Sequence, residues 1–143
     1  MSNKTLYLVR GLSGSGKSTI ARALAPIYNC CADDHFMING EYRFRPEGLG
    51  EAHASCQKQT EVWMVSGVEI IAVHNTLTCS WEAMPYRDLA ERYGYGLRVV
   101  DLYDSGKTDQ ELSELNLHGV SLDILSAQRA RYQSLKDFLY ELL

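Results

Sequence analysis

Eight residues constrain this chain more than any others: Gly11 to Ser18 read Gly-Leu-Ser-Gly-Ser-Gly-Lys-Ser. The spacing fits G-x-x-x-x-G-K-[ST], a loop that cradles phosphate. Gly11, Gly14 and Gly16 permit tight turns and let backbone N–H groups face an anion. Lys17 brings a positive charge to the β- and γ-phosphates, and the Ser18 hydroxyl is placed to ligate Mg²⁺. Ser13, Ser15 and Thr19 complete the predicted nucleotide-binding set. The extended apolar run Thr5-Leu6-Tyr7-Leu8-Val9-Arg10 precedes the loop, and a helical pattern from Lys17 to Ala25, stopped by Pro26, follows it. Strand, glycine loop, helix is the context this chemistry demands. ATP and Mg²⁺ are therefore the expected ligands.

The 143 residues suffice for one domain with one core. The expected arrangement is a single kinase-like unit over 1–143, with a C-terminal lid region at about 110–143. Net charge is −4, which argues against strong nonspecific binding of duplex nucleic acid but leaves room for a small basic groove. The four cysteines, Cys30, Cys31, Cys56 and Cys79, lack the C-x-x-C spacing of a metal site. With no signal peptide they read as reduced thiols of a cytoplasmic protein. No apolar run is long enough to span a bilayer.

A second strand is predicted at 28–32, ending at Asp33-Asp34, followed by a polar loop from Asn39 to Gly50. A helix is expected from about Glu51 to Ser66, and a buried strand at 68–73. Ser80 is placed to cap a helix from Trp81 to Tyr93, although Pro85 offers an equal start. A fourth strand is read at 97–103 and a helix at 109–117. Ser121 begins a last helix that could reach the C-terminus. This alternation predicts a doubly wound parallel α/β sheet of about four to five strands, with helices on both faces. Ligands are expected at the C-terminal ends of its strands. The phosphate-binding loop, Asp33-Asp34 and His74-Asn75-Thr76 would converge there.

Phosphoryl transfer to a hydroxyl benefits from a carboxylate that takes the proton. Asp33 and Asp34 are the candidates, one as base and the other as a Mg²⁺-water ligand, unless they merely cap a helix. Arg129 and Arg131 could close over ATP and neutralise developing charge, or form a solvated helical face. Arg43 and Arg45 are candidates to hold an acidic substrate, with Asn75 and Thr76 beside them. His53 reads as structural more readily than catalytic, and His74 stands where many such enzymes carry an acid. Trp63, Trp81, Tyr86 and Tyr93 fall at helical spacing and read as core or groove wall.

The ordered set Gly11 to Thr19, Ala32-Asp33-Asp34-His35-Phe36, Ala52-His53 with Cys56, Asn75-Thr76, Trp81-Glu82, Pro85-Tyr86, Asn116, His118-Gly119-Val120 and Arg131-Tyr132 supports a more specific comparison. It resembles the small AAA-type P-loop ATPases and kinases of bacteriophages and bacteria, similar to 5′-hydroxyl polynucleotide kinase domains. The resemblance spans about residues 5 to 133. It implies a P-loop kinase fold, phosphate and Mg²⁺ roles for Lys17 and Ser18, a general-base role for Asp33, and a role for Arg131 after the His-Gly-Val segment. This chain has Ala32 and Phe36 where polynucleotide kinases carry arginines, and Leu115 where many relatives carry another. The expected acceptor is thus a polynucleotide 5′-hydroxyl or, alternatively, a nucleoside, modified nucleotide or other small hydroxyl compound. A nucleotide-binding regulator without transfer activity is the reading from a different class.

Overall fold

The computed structural model describes residues 3–116 and 118–143. Its main sheet is built from β1 (Thr5–Gly11), β2 (Asn29–Cys30), β5 (Ile70–His74) and β6 (Gly96–Tyr103), in the order β2-β5-β1-β6. All three pairings are parallel, so the four strands end on the same side. A small antiparallel hairpin, β3 (Met37–Ile38) and β4 (Glu41–Tyr42), stands apart from that sheet. The helices are α1 (Lys17–Leu24), α2 (Leu49–Val65), α3 (Ser80–Tyr93), α4 (Asp109–Leu115), α5 (Leu122–Arg131) and α6 (Leu135–Leu142). The chain therefore has the predicted parallel α/β architecture with four main strands. No described helix is long and apolar enough to cross a membrane.

Strand alternation divides the core. Leu6 and Leu8 of β1, with Ile71 and Val73 of β5, pack against Met64 of α2, Tyr86 and Leu89 of α3 and Phe138 of α6. The intervening Val9 and Ala72 face Ala21 of α1 on the other side. Period-two side-chain direction thus buries both faces of the central strands. A third cluster, Leu12, Leu112 and Leu125, seats α4 and α5 against the loop after β1.

Several predicted boundaries move. The second strand shrinks to two residues, because Ala32–Phe36 coil into a 3₁₀ turn. The helix after β5 begins at Ser80, not at Pro85, because Cys79 and Glu82 form its capping box. Pro85 is the sixth residue of α3, past the first turn, so the helix forgoes the hydrogen bond that an N–H there would make to the Trp81 carbonyl. Trp81 is 72% exposed, so it is not core. Helix α4 ends at Leu115, and Leu117 lies outside the described residues. The last predicted helix is two, α5 and α6, separated at Tyr132–Ser134. All four cysteines are free; Cys30 and Cys56 are buried, with their sulfurs 3.5 Å apart.

Arg10, read from sequence as the end of an apolar strand, is fully buried. Its Nε donates to the Leu77 carbonyl (2.9 Å), Nη1 to Asp101 Oδ2 (3.0 Å), and Nη2 to the carbonyls of Thr78 and Gln133 (3.0 Å each). Its guanidinium also lies over the rings of Tyr132 (4.0 Å) and Phe138 (3.9 Å). Burial lowers the Arg10 pKa, and its neighbours Tyr132 and Asp101 oppose that shift. Replacing Arg10 with Met should destabilise the fold by about 3–5 kcal/mol, since Asp101 and three carbonyls lose their donor. Urea denaturation of the variant measures that loss; a change below about 1 kcal/mol would contradict the role.

Candidate active site

The Gly11–Ser18 loop leaves β1 at the shared C-terminal edge. Gly11 N–H donates to the Thr76 carbonyl (3.3 Å) and Leu12 N–H to the Tyr103 carbonyl (2.8 Å), so the loop starts between its neighbours. Gly14 has φ +86°, and a Cβ there would collide with the Leu112 carbonyl. That contact requires glycine twice over, by conformation and by space. Gly16, at φ +98°, is the N-cap of α1, and no side chain caps that helix. The first turn therefore offers its N–H groups to an anion without a competing carboxylate.

The loop is anchored by distant residues. Ser13 N–H donates to Gln128 Oε1 (3.1 Å), and Gln128 Nε2 donates back to Ser13 Oγ (3.0 Å). Ser105 Oγ donates to the Ser15 carbonyl (2.7 Å). Among the described residues, the buried Ser15 hydroxyl has no hydrogen-bond partner. Lys17 Nζ donates to the Leu12 carbonyl (3.0 Å) and is half-buried. Burial lowers its pKa to about 8, against the raising influence of Asp33 and Cys31. Ser18 is half-buried beside it, and Thr19 is exposed on α1. An orphaned hydroxyl, an uncapped helix and a poorly solvated lysine together fit a phosphate group. Among the described residues, no three His, Cys, Asp or Glu side chains converge to hold a metal. Mg²⁺ is commonly held by one or two protein groups plus substrate phosphates, a pattern that Ser18 fits.

The two predicted aspartates separate. Asp34 turns back on its own 3₁₀ helix: Oδ2 accepts from Cys31 N–H (3.1 Å) and Oδ1 from Cys31 Sγ (3.5 Å). Burial raises that thiol to about 12, with Asp34 adding to the shift. Asp33 instead accepts a hydrogen bond from Tyr42 Oη (3.0 Å), and its other oxygen lies 3.6 Å from His118 Nε2. The Tyr42 and His118 rings stack, with centroids 4.0 Å apart. Burial raises the Tyr42 pKa, helped by Asp33, so the phenol keeps its proton and remains a donor.

Asn75 and Thr76 lie at the sheet edge, where the side chain of Asn75 and the main-chain carbonyl of Thr76 are already engaged. Asn75 Oδ1 accepts from Ala32 N–H (2.8 Å), fixing the start of the Asp33 turn. Arg43 and Arg45 are exposed, and Arg43 pairs with Glu41, two residues back along the same arm of the hairpin (2.8 Å). Arg129 donates to Asp109 (2.8 Å), Asp104 (2.7 Å) and the Lys107 carbonyl (3.1 Å), clamping α5 to the segment after β6. Arg131 Nε donates to Thr78 Oγ1 (3.2 Å). His53 is half-buried on α2. Tyr42 and Gln128 were not singled out from sequence. The Asn39-Gly40 pair is a hairpin signal that would have placed Tyr42 on a strand. Gln128 left no such signal.

No known family profile matches the chain. It is 36% identical over 134 residues to human NEDD4-binding protein 2, covering 90% of this chain and 8% of that protein. It is 26% identical over 141 residues to mouse 2′,3′-cyclic-nucleotide 3′-phosphodiesterase, covering 95% of this chain and 32% of that one. The chain thus spans a small part of either curated relative. Among solved structures, it resembles a protein of Chloroflexus aurantiacus described as a "putative kinase". The TM-score is 0.62 at 17% identity, over 97% of this chain and 75% of that one. The class these findings define is a kinase-like α/β fold.

His74, at the end of β5, is 7% exposed, and burial lowers its pKa to about 4. The unfolded chain binds a proton there near pH 6.5 and the folded one does not until about pH 4. Stability therefore rises with pH across that window and falls by up to about 1.4 kcal/mol per unit on acidification. Urea titrations of wild type and His74→Gln from pH 4 to 7 should show a shallower dependence in the variant. Identical slopes would contradict the assignment.

Proposed function

We propose that this chain is an ATP-dependent phosphotransferase acting on a hydroxyl, with a polynucleotide 5′-hydroxyl end as the favoured acceptor. The observation that carries the reading is that the Gly11–Ser18 cradle and the Asp33 turn are tied to adjacent residues at one sheet edge: Thr76 accepts from Gly11 N–H (3.3 Å) and Asn75 from Ala32 N–H (2.8 Å). In this reading, the loop N–H groups and Lys17 hold the β- and γ-phosphates, releasing Lys17 from the Leu12 carbonyl. Mg²⁺, bound through Ser18 and the phosphates, would neutralise charge on the transferred group. Asp33 takes the acceptor proton as the acceptor oxygen forms its bond to phosphorus and the bond to ADP breaks. Tyr42, as a donor to Asp33 Oδ1, orients the carboxylate, and the other oxygen, 3.6 Å from His118 Nε2, would take the acceptor proton. Arg131 is the remaining cation at the rim, because Arg129 is already held by two carboxylates.

A nucleotide acceptor gains support from the mouse relative, whose name describes work on a nucleotide phosphate ester. A small hydroxyl compound is the alternative acceptor. A nucleotide-binding module without transfer would share the loop but have no use for the Asp33–Tyr42 pair.

Lys17→Ala should weaken ATP binding about 10- to 150-fold, the loss expected for a charged hydrogen bond to phosphate. Calorimetry reporting unchanged affinity would remove the phosphate role of the loop. Asp33→Asn should keep ATP affinity and lose turnover by about 10²- to 10⁴-fold, read as labelled γ-phosphate transferred to 5′-hydroxyl oligonucleotides. Undiminished transfer by that variant would displace Asp33 as the base.

A further inference from the structure

The hairpin β3–β4 and the residues that follow it carry an alternation that the proposed chemistry does not use. Tyr42-Arg43-Phe44-Arg45 interleaves ring and guanidinium with period two. The strand ends at Tyr42; Arg43 beyond it pairs with Glu41 (2.8 Å), which a phosphate would have to displace, and the Arg45 guanidinium lies beside Gly48 and Phe36. The rings of Tyr42 and Phe44 lie within 12° of parallel, with centroids 6.4 Å apart. Buried Phe36 stands nearly perpendicular to both, at 6.2 Å from Tyr42 and 5.1 Å from Phe44. It fixes their spacing from below. Phe44 nevertheless remains 47% exposed, and Met37, paired with Tyr42 across the hairpin, is 46% exposed. Apolar surface of this kind, next to a candidate base, marks a binding face.

We propose that Tyr42, Phe44, Arg43 and Arg45 form the subsite for the acceptor: bases of a single-stranded nucleic acid end stack on the rings, and its phosphates run along the arginines. This rests on the phosphotransferase reading and names its substrate class. A single strand presents both bases and phosphates, and this segment sets two rings among two arginines. Aromatic platforms beside a basic track are how proteins hold single strands without reading sequence. The platform also sits where the reaction needs it. Tyr42 hydrogen-bonds Asp33, so a terminal nucleoside stacked on the rings brings its 5′-hydroxyl toward that carboxylate. His118 covers Tyr42 at 4.0 Å and closes the stack on the α4–α5 side. Phe44 is then the ring open to a base. An acidic chain of net charge −4 can hold nucleic acid in this way, because the cations are local.

The test compares two probes by calorimetry: a 5′-hydroxyl trithymidylate and the same trimer with an abasic 5′-terminal nucleotide. Wild type should bind the complete trimer at least about tenfold more tightly, the effect of one base–aromatic stack. Phe44→Leu, which keeps apolar contact with Phe36, should erase that difference and leave ATP affinity unchanged. Phe44→Trp should retain the difference, and its fluorescence should be quenched by the complete trimer alone. Arg43→Gln should weaken both trimers alike and flatten the salt dependence. Equal affinity of wild type for the two trimers, or a full preference surviving in Phe44→Leu, overturns the subsite. Phosphate transfer measured on the same samples separates the two levels. Base-dependent binding without transfer keeps the subsite and rejects the kinase; transfer to small hydroxyl compounds with no base preference does the reverse.

Discussion

The arrangement of the working edge depends on the burial of one guanidinium, that of Arg10. An ion removed from water is tolerated only when each donor finds an acceptor. Here the acceptors come from Leu77 and Thr78 after β5, Asp101 on β6, and Gln133 between α5 and α6. Three segments distant in sequence are thereby fixed to the last turn of β1, immediately before the glycine loop. The constraint is strong enough to hold Leu77 at φ +45°, a conformation costly for a branched side chain. Leu77 adopts it while its carbonyl accepts from Arg10.

That hub explains how a loop designed to approach a ligand keeps its shape. Tyr132 lies over Arg10 and donates to Asp101 Oδ1 (2.6 Å), which fixes the C-terminal end of α5. From there Gln128 reaches Ser13 with both of its amide atoms, and Arg129 ties α5 to the Asp104–Asp109 segment. Ser105, in that segment, holds the Ser15 carbonyl. The cradle is therefore supported from the C-terminal third of the chain. Such support would lower the ordering cost of binding a ligand at this loop, since the loop is already held in shape. It also reassigns Arg129: a side chain that donates to two carboxylates and a carbonyl is a brace.

The sheet was readable because its determinants are local. Glycine spacing, strand alternation in Leu6 to Val9 and the apolar run before His74 each declare themselves within a few residues. What was not readable depended on long-range pairing. Arg10 looks like the polar end of a strand until Asp101 and Gln133 arrive, 91 and 123 residues away. The failure at residues 28–32 is different in kind. Asp34 offered the backbone of Cys31 a hydrogen bond, and that local competition ended β2 after two residues. The hairpin was legible and went unread. Asn39 and Gly40, at φ +53° and +81°, occupy the two left-handed positions that an Asn-Gly turn supplies.

The division between the two aspartates follows from the same 3₁₀ turn. With three residues per turn, adjacent side chains leave the axis about 120° apart. Asp34, whose oxygens face Cys31, is committed to holding the turn. Asp33, one residue earlier, is thereby directed toward Tyr42 and His118. His118 is delivered by Asn116, whose Oδ1 accepts from the N–H groups of His118 (3.2 Å) and Val120 (2.9 Å). Asn75 secures the opposite flank by accepting from Ala32 N–H. Two asparagines, each with its Oδ1 accepting from backbone N–H, thus set the approach of two loops to one carboxylate. A shift in either would move Asp33 relative to Lys17 without touching either residue. For the reaction proposed here, which needs the donor phosphate and the base in register, the precision of the site would reside in these backbone contacts as much as in the charged groups themselves.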